Sequence, residues 1–461
     1  LLGKQLFTYG QSVILEPMAH RLPIDRTTGD GAPIVADFNG DGLNDIFIQR
    51  SSADDLYMQV KDKNGEPGLF VDQSATLPKY SGNCTSSNAY ATGGDIDGDK
   101  DIDIVFRCAG NYLCILRNNG DGTFKSEYHG NPSLSNMREF AFGDVTCDGH
   151  TDIVVATSST NFVLVSNGSG AYVKDTKLLP AHNEPSTSLA LGDVDNDGDL
   201  DLLVGNDSAV QNRLYYNSCN NVPQGQPGSF QDASYGNGKN FPVSGFNTRT
   251  VMLKDLDGDG WLDAFVFNWG QTDRIYLNKG GNFLADDGSR FPQEEKLPHS
   301  AGAWATDVDN DGDIDLLVRK YQNVSGRYWT SLYLNEKSQS GQTKWTDASL
   351  SNMTPWRGED AAYMDVGDLN GDGLPDVYVV KTNHQDWLLI NHGFIDGKAA
   401  IDANRVPKGS FENNTFIGLP HDVAESSAAD AGDIDGDGDI DIVIGNLAEG
   451  GVSVWINDSA G

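Results

Sequence analysis

The sequence predicts an all-β chain folded as an eight-bladed β-propeller with four strands per blade. Three observations point there. A short acidic pattern, D-x-[D/N/T]-x-D-x-x-x-D, occurs eight times. Its copies begin 49 to 65 residues apart, and each runs at once into a β-like stretch. The chain has 53 Gly in 461 residues and no long helical periodicity. A repeat of about fifty residues that holds four short strands is the size of a propeller blade.

The acidic loops occupy residues 37–45, 95–103, 144–152, 193–201, 255–263, 307–315, 368–376 and 433–441. Side chains at positions 1, 3, 5 and 9 and the backbone carbonyl at position 7 can converge on one centre. In loop 1 these are Asp37, Asn39, Asp41, Leu43 (carbonyl) and Asp45. Loop 2 offers Asp95, Asp97, Asp99, Asp101 and Asp103, and loop 3 offers Asp144, Thr146, Asp148, His150 and Asp152. In loop 4 they are Asp193, Asp195, Asp197, Asp199 and Asp201. In loop 5 they are Asp255, Asp257, Asp259, Trp261 and Asp263. Loop 6 supplies Asp307, Asp309, Asp311, Asp313 and Asp315, and loop 7 Asp368, Asn370, Asp372, Leu374 and Asp376. Loop 8 supplies Asp433, Asp435, Asp437, Asp439 and Asp441. Oxygen donors alone, in this number and on a flexible turn, suit Ca²⁺, a hard cation that takes six to eight oxygens. Up to eight structural Ca²⁺ ions are therefore expected. Seven loops have glycine at position 6, where a left-handed turn would wrap the ion. Loop 2 has Lys100 there and should be strained or differently wound. That loop, and loop 3 with its neutral Thr146, should bind least tightly. EF-hands are excluded, because position 12 is Ile48, Phe106, Val155 or Val204 in the first four copies, inside a strand instead of a ligating Glu.

The strands follow in the same order in each unit. In the first, residues 34–36 lead into the loop, 45–49 leave it, and 55–60 and 68–73 complete the sheet. The last unit lacks a fourth strand. Residues 1–18, starting with the stretch from Gln5, are expected to supply it and close the ring, which would remove two exposed sheet edges.

Formal net charge is −35, and 29 of the 67 acidic residues sit at loop positions 1, 3, 5 and 9. Eight divalent ions would reduce −35 to −19, so much of the acidity is metal-site chemistry. Such a surface repels nucleic acid, which is bound through Lys and Arg. There is no apolar run of membrane-spanning length. No leader is visible, and a chain that starts with Leu reads as a processed or excerpted product. Calcium sites of this type suit an extracellular or cell-surface setting, where calcium is abundant. Sequons at Asn83, Asn167, Asn206, Asn323, Asn352, Asn413 and Asn457 permit N-glycosylation.

The loops, with the Gly31-Ala32-Pro33 entry to the first unit, resemble FG-GAP repeats, also called VCBS-type repeats. That family includes integrin α-subunit propellers, propeller lectins and several polysaccharide lyases. The resemblance covers nearly the whole chain and implies a calcium-bound propeller, but not a particular activity. There is no inserted ligand-binding domain, leg region or membrane span, so a complete integrin-like receptor is not supported.

All eight acidic loops join first to second strands and should lie on one face. The opposite face should carry the second-to-third-strand connections, which are enriched in Arg, Lys, His, Tyr and Trp. Aromatic faces combined with cations suit glycans or protein partners. The candidate ligand residues are Arg50, Arg107, Trp269, Arg319, Tyr321, His384 and Trp387. The competing reading is that the two tryptophans pack between blades and the cations are solvated tips. The main functional expectation is a binding, adhesion or assembly module, with self-assembly included. The alternative is a lyase acting on uronate glycans, with His384, Tyr321, Lys381 and Arg319 as candidate base and carboxylate-neutralising groups. Five cysteines leave at least one without a partner in the chain. Blade positions suggest Cys84–Cys108 and Cys147–Cys219 pairs, with Cys114 buried and free.

Overall fold

The computed structural model describes residues 15–17, 31–50, 53–61, 63–64, 69–78, 91–108, 112–129, 137–168, 171–219, 229–234, 241–242, 245–285, 299–322, 327–337, 343–348, 361–369, 373–381, 386–391, 411–413, 426–446 and 452–457. Eight four-stranded antiparallel sheets form the blades. Blade 1 is Gly31–Ala36, Asp45–Arg50, Asp55–Val60 and Leu69–Asp72. Blade 2 is Ala91–Gly94, Asp103–Cys108, Tyr112–Asn118 and Phe124–His129. Blade 3 is Met137–Gly143, Asp152–Thr157, Phe162–Ser166 and Tyr172–Asp175. Blade 4 is Ser186–Gly192, Asp201–Asn206, Arg213–Tyr216 and Gln231–Asp232. Blade 5 is Thr248–Lys254, Asp263–Asn268, Arg274–Asn278 and Phe283–Ala285. Blade 6 is His299–Thr306, Asp315–Gln322, Arg327–Lys337 and Thr343–Asp347. Blade 7 is Ala361–Gly367, Asp376–Lys381, Trp387–Asn391 and Phe411–Asn413. Blade 8 has Ser426–Gly432, Asp441–Asn446 and Val452–Asn457. Its fourth strand is Leu15–Pro17, antiparallel to Val452–Asn457 with Leu15 opposite Asn457. The stretch that starts at Gln5 lies outside the described residues.

Second strands are apolar on both sides because each is sandwiched between neighbouring blades. In blade 1, Ile46 and Ile48 pack with Val443, Val454 and Ile456 of blade 8. Phe47, pointing the other way, packs with Ile104 and Leu116 of blade 2. This period-2 alternation recurs around the molecule and produces eight inter-blade cores. Each buried Val, Leu, Ile or Phe contributes about 1.5–3 kcal/mol. The core between blades 8 and 1 closes the ring. Glycines before several loops permit this close packing: a Cβ at Gly192 would lie 2.6 Å from Leu262 of blade 5.

A second device, polar this time, joins the blades. At the end of the third strand in seven of the eight blades, a side chain donates a hydrogen bond to the position-2 carbonyl of the preceding blade's acidic loop. Asn118 reaches Phe38, Asn217 Val145, Asn278 Val194, Asn335 Leu256 and Asn391 Val308, at 2.6–2.9 Å. Asn457 reaches Leu369, and Gln59 reaches Ile434 across the closure. Blade 3 has Ser166 at this point. There the Tyr172 hydroxyl substitutes, 3.1 Å from the Ile96 carbonyl and 3.0 Å from that of Thr151. The ring is thus stitched once per blade by a buried donor.

Candidate metal centres and the opposite face

In each hairpin the position-9 Asp pairs with the residue just before position 1, as in Thr306 opposite Asp315 and Gly192 opposite Asp201. All eight loops therefore leave their blades at the same strand ends. Position 1 organises the turn: Asp37 accepts the amides of Gly40, Asp41 and Gly42, and Asp307 those of Asp311 and Gly312. Position-6 glycines take φ of 83° to 96°. Lys100 adopts the same left-handed conformation, φ 79°, so loop 2 is wound like the others and carries the strain. A residue with a Cβ pays roughly 1–2 kcal/mol there.

The carboxylates at positions 1, 3 and 5 converge. In Asp95/Asp97/Asp99, Asp193/Asp195/Asp197, Asp255/Asp257/Asp259 and Asp307/Asp309/Asp311, one oxygen from each lies within 4.8 Å of the others. Position 9 does a different job. It is fully buried in all eight loops. One oxygen accepts the position-2 amide, from Phe38 in loop 1 and Leu256 in loop 5. The other accepts a third-strand amide, from Gln59 and Asn278. Burial pushes these carboxyls up, against the lowering effect of the amides, to about 6 in Asp103 and Asp152, about 7 in Asp45 and Asp263, and about 8 in Asp201, Asp315 and Asp441. Thr146 also turns inward and donates to Asp152 at 3.0 Å.

Do these residues fit Ca²⁺? The donors are all oxygen, as a hard cation requires. Asp97 Oδ1 and Asp257 Oδ1 are buried and accept no hydrogen bond, leaving an acceptor aimed into each loop. In loop 5 a cation already stands among them. The Lys279 ammonium is 2.5 Å from Asp257 Oδ2 and also bonds Asp259. Desolvation lowers the Lys279 pKa, but the bonds to Asp257 and Asp259 outweigh it and raise the pKa above its ordinary value. Loop 2 meets a buried guanidinium, Arg117, 2.9 Å from Asp103 and 3.5 Å from Asp97. The donor set fits calcium, with positions 1, 3 and 5 as its inner carboxylates.

The opposite ends of the hairpins carry the second candidate surface. In blade 6 His299 pairs with Tyr321, which stands six residues beyond Asp315 at the end of the acidic loop, about 20 Å along a strand. Trp269 stacks on Tyr321 with centroids 5.4 Å apart and lies 4.2 Å from His299. The Arg249 guanidinium sits 5.1 Å above the Trp269 ring. Asp207 joins Arg249 at 3.4 Å and Arg138 at 3.6 Å. Desolvation, then the charge of Arg249, holds His299 below its usual pKa. Arg138 and Arg249 stand at register shifts in the first strands of blades 3 and 5. Such a bulge re-aims its side chain. Blades 3 to 6 together present a half-exposed cluster of cations and aromatic rings.

Other expected ligand residues are placed differently. Arg50 is 3% exposed and ion-paired with Asp55 at 2.5 Å, so it belongs to the blade interior and is not a solvated contact. Lys381 is 1% exposed, its ammonium 3.5 Å from the Trp387 ring centroid. A lyase base or carboxylate clamp needs access to substrate, and this lysine has none. Trp387 packs against the core between blades 6 and 7, the packing reading. Arg319 is half-buried on the strand that carries Tyr321. The Arg107 side chain and all of His384 lie outside the described residues.

Cys147 and Cys219 form a disulfide between blades 3 and 4, with Cα atoms 5.6 Å apart. Cys114 is not free, because it too is disulfide-bonded. The expected Cys84–Cys108 pair falls on Cys84 and the Cys108 side chain, which lie outside the described residues. Adjacent strands of blade 2 carry Cys108 and Cys114. Among the sequons, Asn167 is exposed. Asn206 and Asn457 are fully buried, their amides donating to Gln211 and Leu369, so a glycan on either is incompatible with this fold. Asn83, Asn323, Asn352 and the Asn413 side chain lie outside the described residues.

The FG-GAP-like repeat model matches residues 37–106, 95–155, 144–204, 255–318, 307–379 and 368–444, more than half of the chain. The chain belongs to the FG-GAP-like repeat family. Two relatives of this FG-GAP-like protein are T-cell immunomodulatory protein homologs. The one from Plasmodium yoelii yoelii is 23% identical over 464 residues, covering 84% of this chain and 62% of the relative. The one from Plasmodium falciparum (isolate 3D7) is 28% identical over 236 residues, covering 37% and 32%. The chain thus spans less than two thirds of either relative's length. Among solved structures, the Vibrio cholerae biofilm matrix protein Bap1 aligns at TM-score 0.46 and 12% identity, covering 98% of this chain and 92% of that one. An Agrocybe aegerita lectin that recognises non-reducing terminal N-acetylglucosamine aligns at 0.40 and 17%, covering 84% and 79%. Among the described residues, no helix is long and apolar enough to cross a membrane.

Proposed function

We propose that this chain is a calcium-stabilised binding module of the extracellular space. Calcium holds the acidic loops of one face, and the opposite face engages a glycan or an extracellular protein. The observation that carries this reading is the cluster of Arg138, Asp207, Arg249, Trp269, His299 and Tyr321, set about 20 Å along the strands from the acidic loops. Surface cations and aromatics joined across several blades make a contact patch in a chain of net charge −35, which is otherwise poor in bases. Aromatic rings supply apolar faces and guanidinium groups recognise carboxylates or sulfates, the chemistry of acidic sugars and acidic peptides. Calcium in the loops neutralises carboxylates that otherwise repel one another, so its role is to hold the blades in register.

The test is a binding screen on immobilised neutral, uronate and sulfated glycans and on extracellular matrix proteins, in calcium. Arg249→Ala and Trp269→Ala are run beside the wild type. A ligand whose affinity falls tenfold or more in both variants, with their melting temperatures unchanged, supports the reading. Binding that ignores both substitutions overturns it. Rising ultraviolet absorbance on the uronate members of the panel would instead make the protein a lyase.

A further inference from the structure

Loops 4, 5, 6 and 8 have the same four side-chain donors, an Asp at each of positions 1, 3, 5 and 9. By donor count they should hold a divalent ion equally well. Loop 5 departs from the other three in two groups: position 7 is Trp261 where they have Asp199, Asp313 and Asp439, and a lysine reaches its carboxylates. The residue after Asn278, the inter-blade donor of blade 5, is Lys279, and its ammonium bridges Asp257 at position 3 and Asp259 at position 5. The corresponding residues of other blades include Asn119, Asn167, Ser218, Glu336 and His392, and none of the other seven is Lys or Arg. Lys279 is 45% exposed, on a flexible stem, so it can leave the loop as easily as enter it. Arg117 near loop 2 is another case, because its side chain is 5% exposed and fixed beneath the loop against Tyr172.

We propose that Lys279 is a tethered competitor for the metal position of loop 5, so that this loop takes Ca²⁺ more weakly than it would without the lysine and fills after loops 4, 6 and 8. An entering ion must displace the ammonium and then tolerate it nearby. Like charges a few ångströms apart in a half-exposed site repel one another, less so as salt screens them. The expected penalty is about tenfold in affinity. At low calcium the lysine bridges two of the loop's carboxylates and offsets one of their charges, so blade 5 depends less on metal than blades 4, 6 and 8. This inference rests on the proposed calcium binding, and the experiment separates the two.

Loop 5 also carries its own reporter. Trp261 stands at position 7, whose carbonyl is a ligand position, and no other loop has a tryptophan. Terbium, which occupies calcium sites, emits when a nearby indole is excited. Titrating terbium into the wild type and into Trp261→Phe isolates the loop 5 signal as the emission that Trp261→Phe loses. The same subtraction is made in Lys279→Met and Lys279→Arg backgrounds, with calcium back-titration and with thermal melts to show that each variant is folded. The expected result is that the Trp261-dependent emission saturates at higher terbium in the wild type and in Lys279→Arg than in Lys279→Met. In Lys279→Met its midpoint should shift about tenfold lower, with the remaining emission unmoved. A Trp261-dependent signal that fills with the rest and does not move in Lys279→Met overturns the competitor role. Equilibrium dialysis showing no bound calcium in the wild type would overturn the calcium reading itself.

Discussion

The carboxamide of Asn278 offers the sharpest test of how the ring is held. It is fully buried. Its Nδ2 donates to the Val194 carbonyl at 2.6 Å and the Leu262 carbonyl at 3.0 Å, and its Oδ1 accepts the Gly281 amide at 2.8 Å. Asn278→Leu keeps the bulk and removes all three bonds. Each orphaned buried backbone group costs about 1–3 kcal/mol. The Leu262 bond is partly solvated and falls at the low end, so the total is about 4 kcal/mol. Asn278→Asp keeps the acceptor but turns a carboxylate oxygen toward two carbonyls and toward buried Asp263, and should cost at least as much near neutral pH. At about 2.1 cal/mol/K per residue, 461 residues unfold with about 1 kcal/mol/K of entropy. The predicted loss is therefore about 4 °C in calorimetric melting temperature, in saturating calcium, with a matching fall in the urea midpoint. A melting temperature within 1 °C of wild type for both variants would refute the inter-blade stitch as an energetic feature.

Two further predictions follow from strain and burial. Lys100→Gly relieves a left-handed Cβ at φ 79° and should raise stability by about 0.5–1 kcal/mol, after the extra chain entropy of glycine is deducted; a lowered melting temperature contradicts the strain. Burial pushes Glu139 up to about 7, against the lowering effect of the Leu189 amide and the Ser188 hydroxyl. A carboxyl whose folded pKa exceeds its unfolded value stabilises fully below the unfolded value, and that contribution is lost as pH rises through the folded one. The wild type should therefore lose ground to Glu139→Gln between pH 5 and pH 8 in melts at fixed calcium, and parallel curves would contradict the burial effect.

The acidic loops were legible because their spacing is chemical and their recurrence is regular. Blade order was legible because each loop runs into an apolar second strand with period-2 alternation. The inter-blade donors were less so. Asn118, Asn217, Asn278 and Asn391 look like turn formers at strand ends, and the carbonyls they reach lie 72 to 84 residues away. The cation-rich face misled where a counter-ion was near: Arg50 reads as a surface tip, yet Asp55 opens the next strand and takes it inside. Arg138 and Arg249 were missed because their direction depends on register shifts, which side-chain periodicity does not encode. His299 and Asp207 had no local motif. Their part in the face arises from the arrangement of adjacent blades.

The central claim is that calcium in the acidic loops stabilises the propeller, and thermal unfolding with and without a chelator tests it most directly. Each site held at a hundredfold excess over its dissociation constant adds about 2.7 kcal/mol. Several such sites add on the order of 10 kcal/mol or more, which at about 1 kcal/mol/K is ten degrees or more. The predicted result is a melting temperature lowered by roughly that amount in excess EGTA and restored by calcium. An unchanged melting temperature in EGTA would contradict the account.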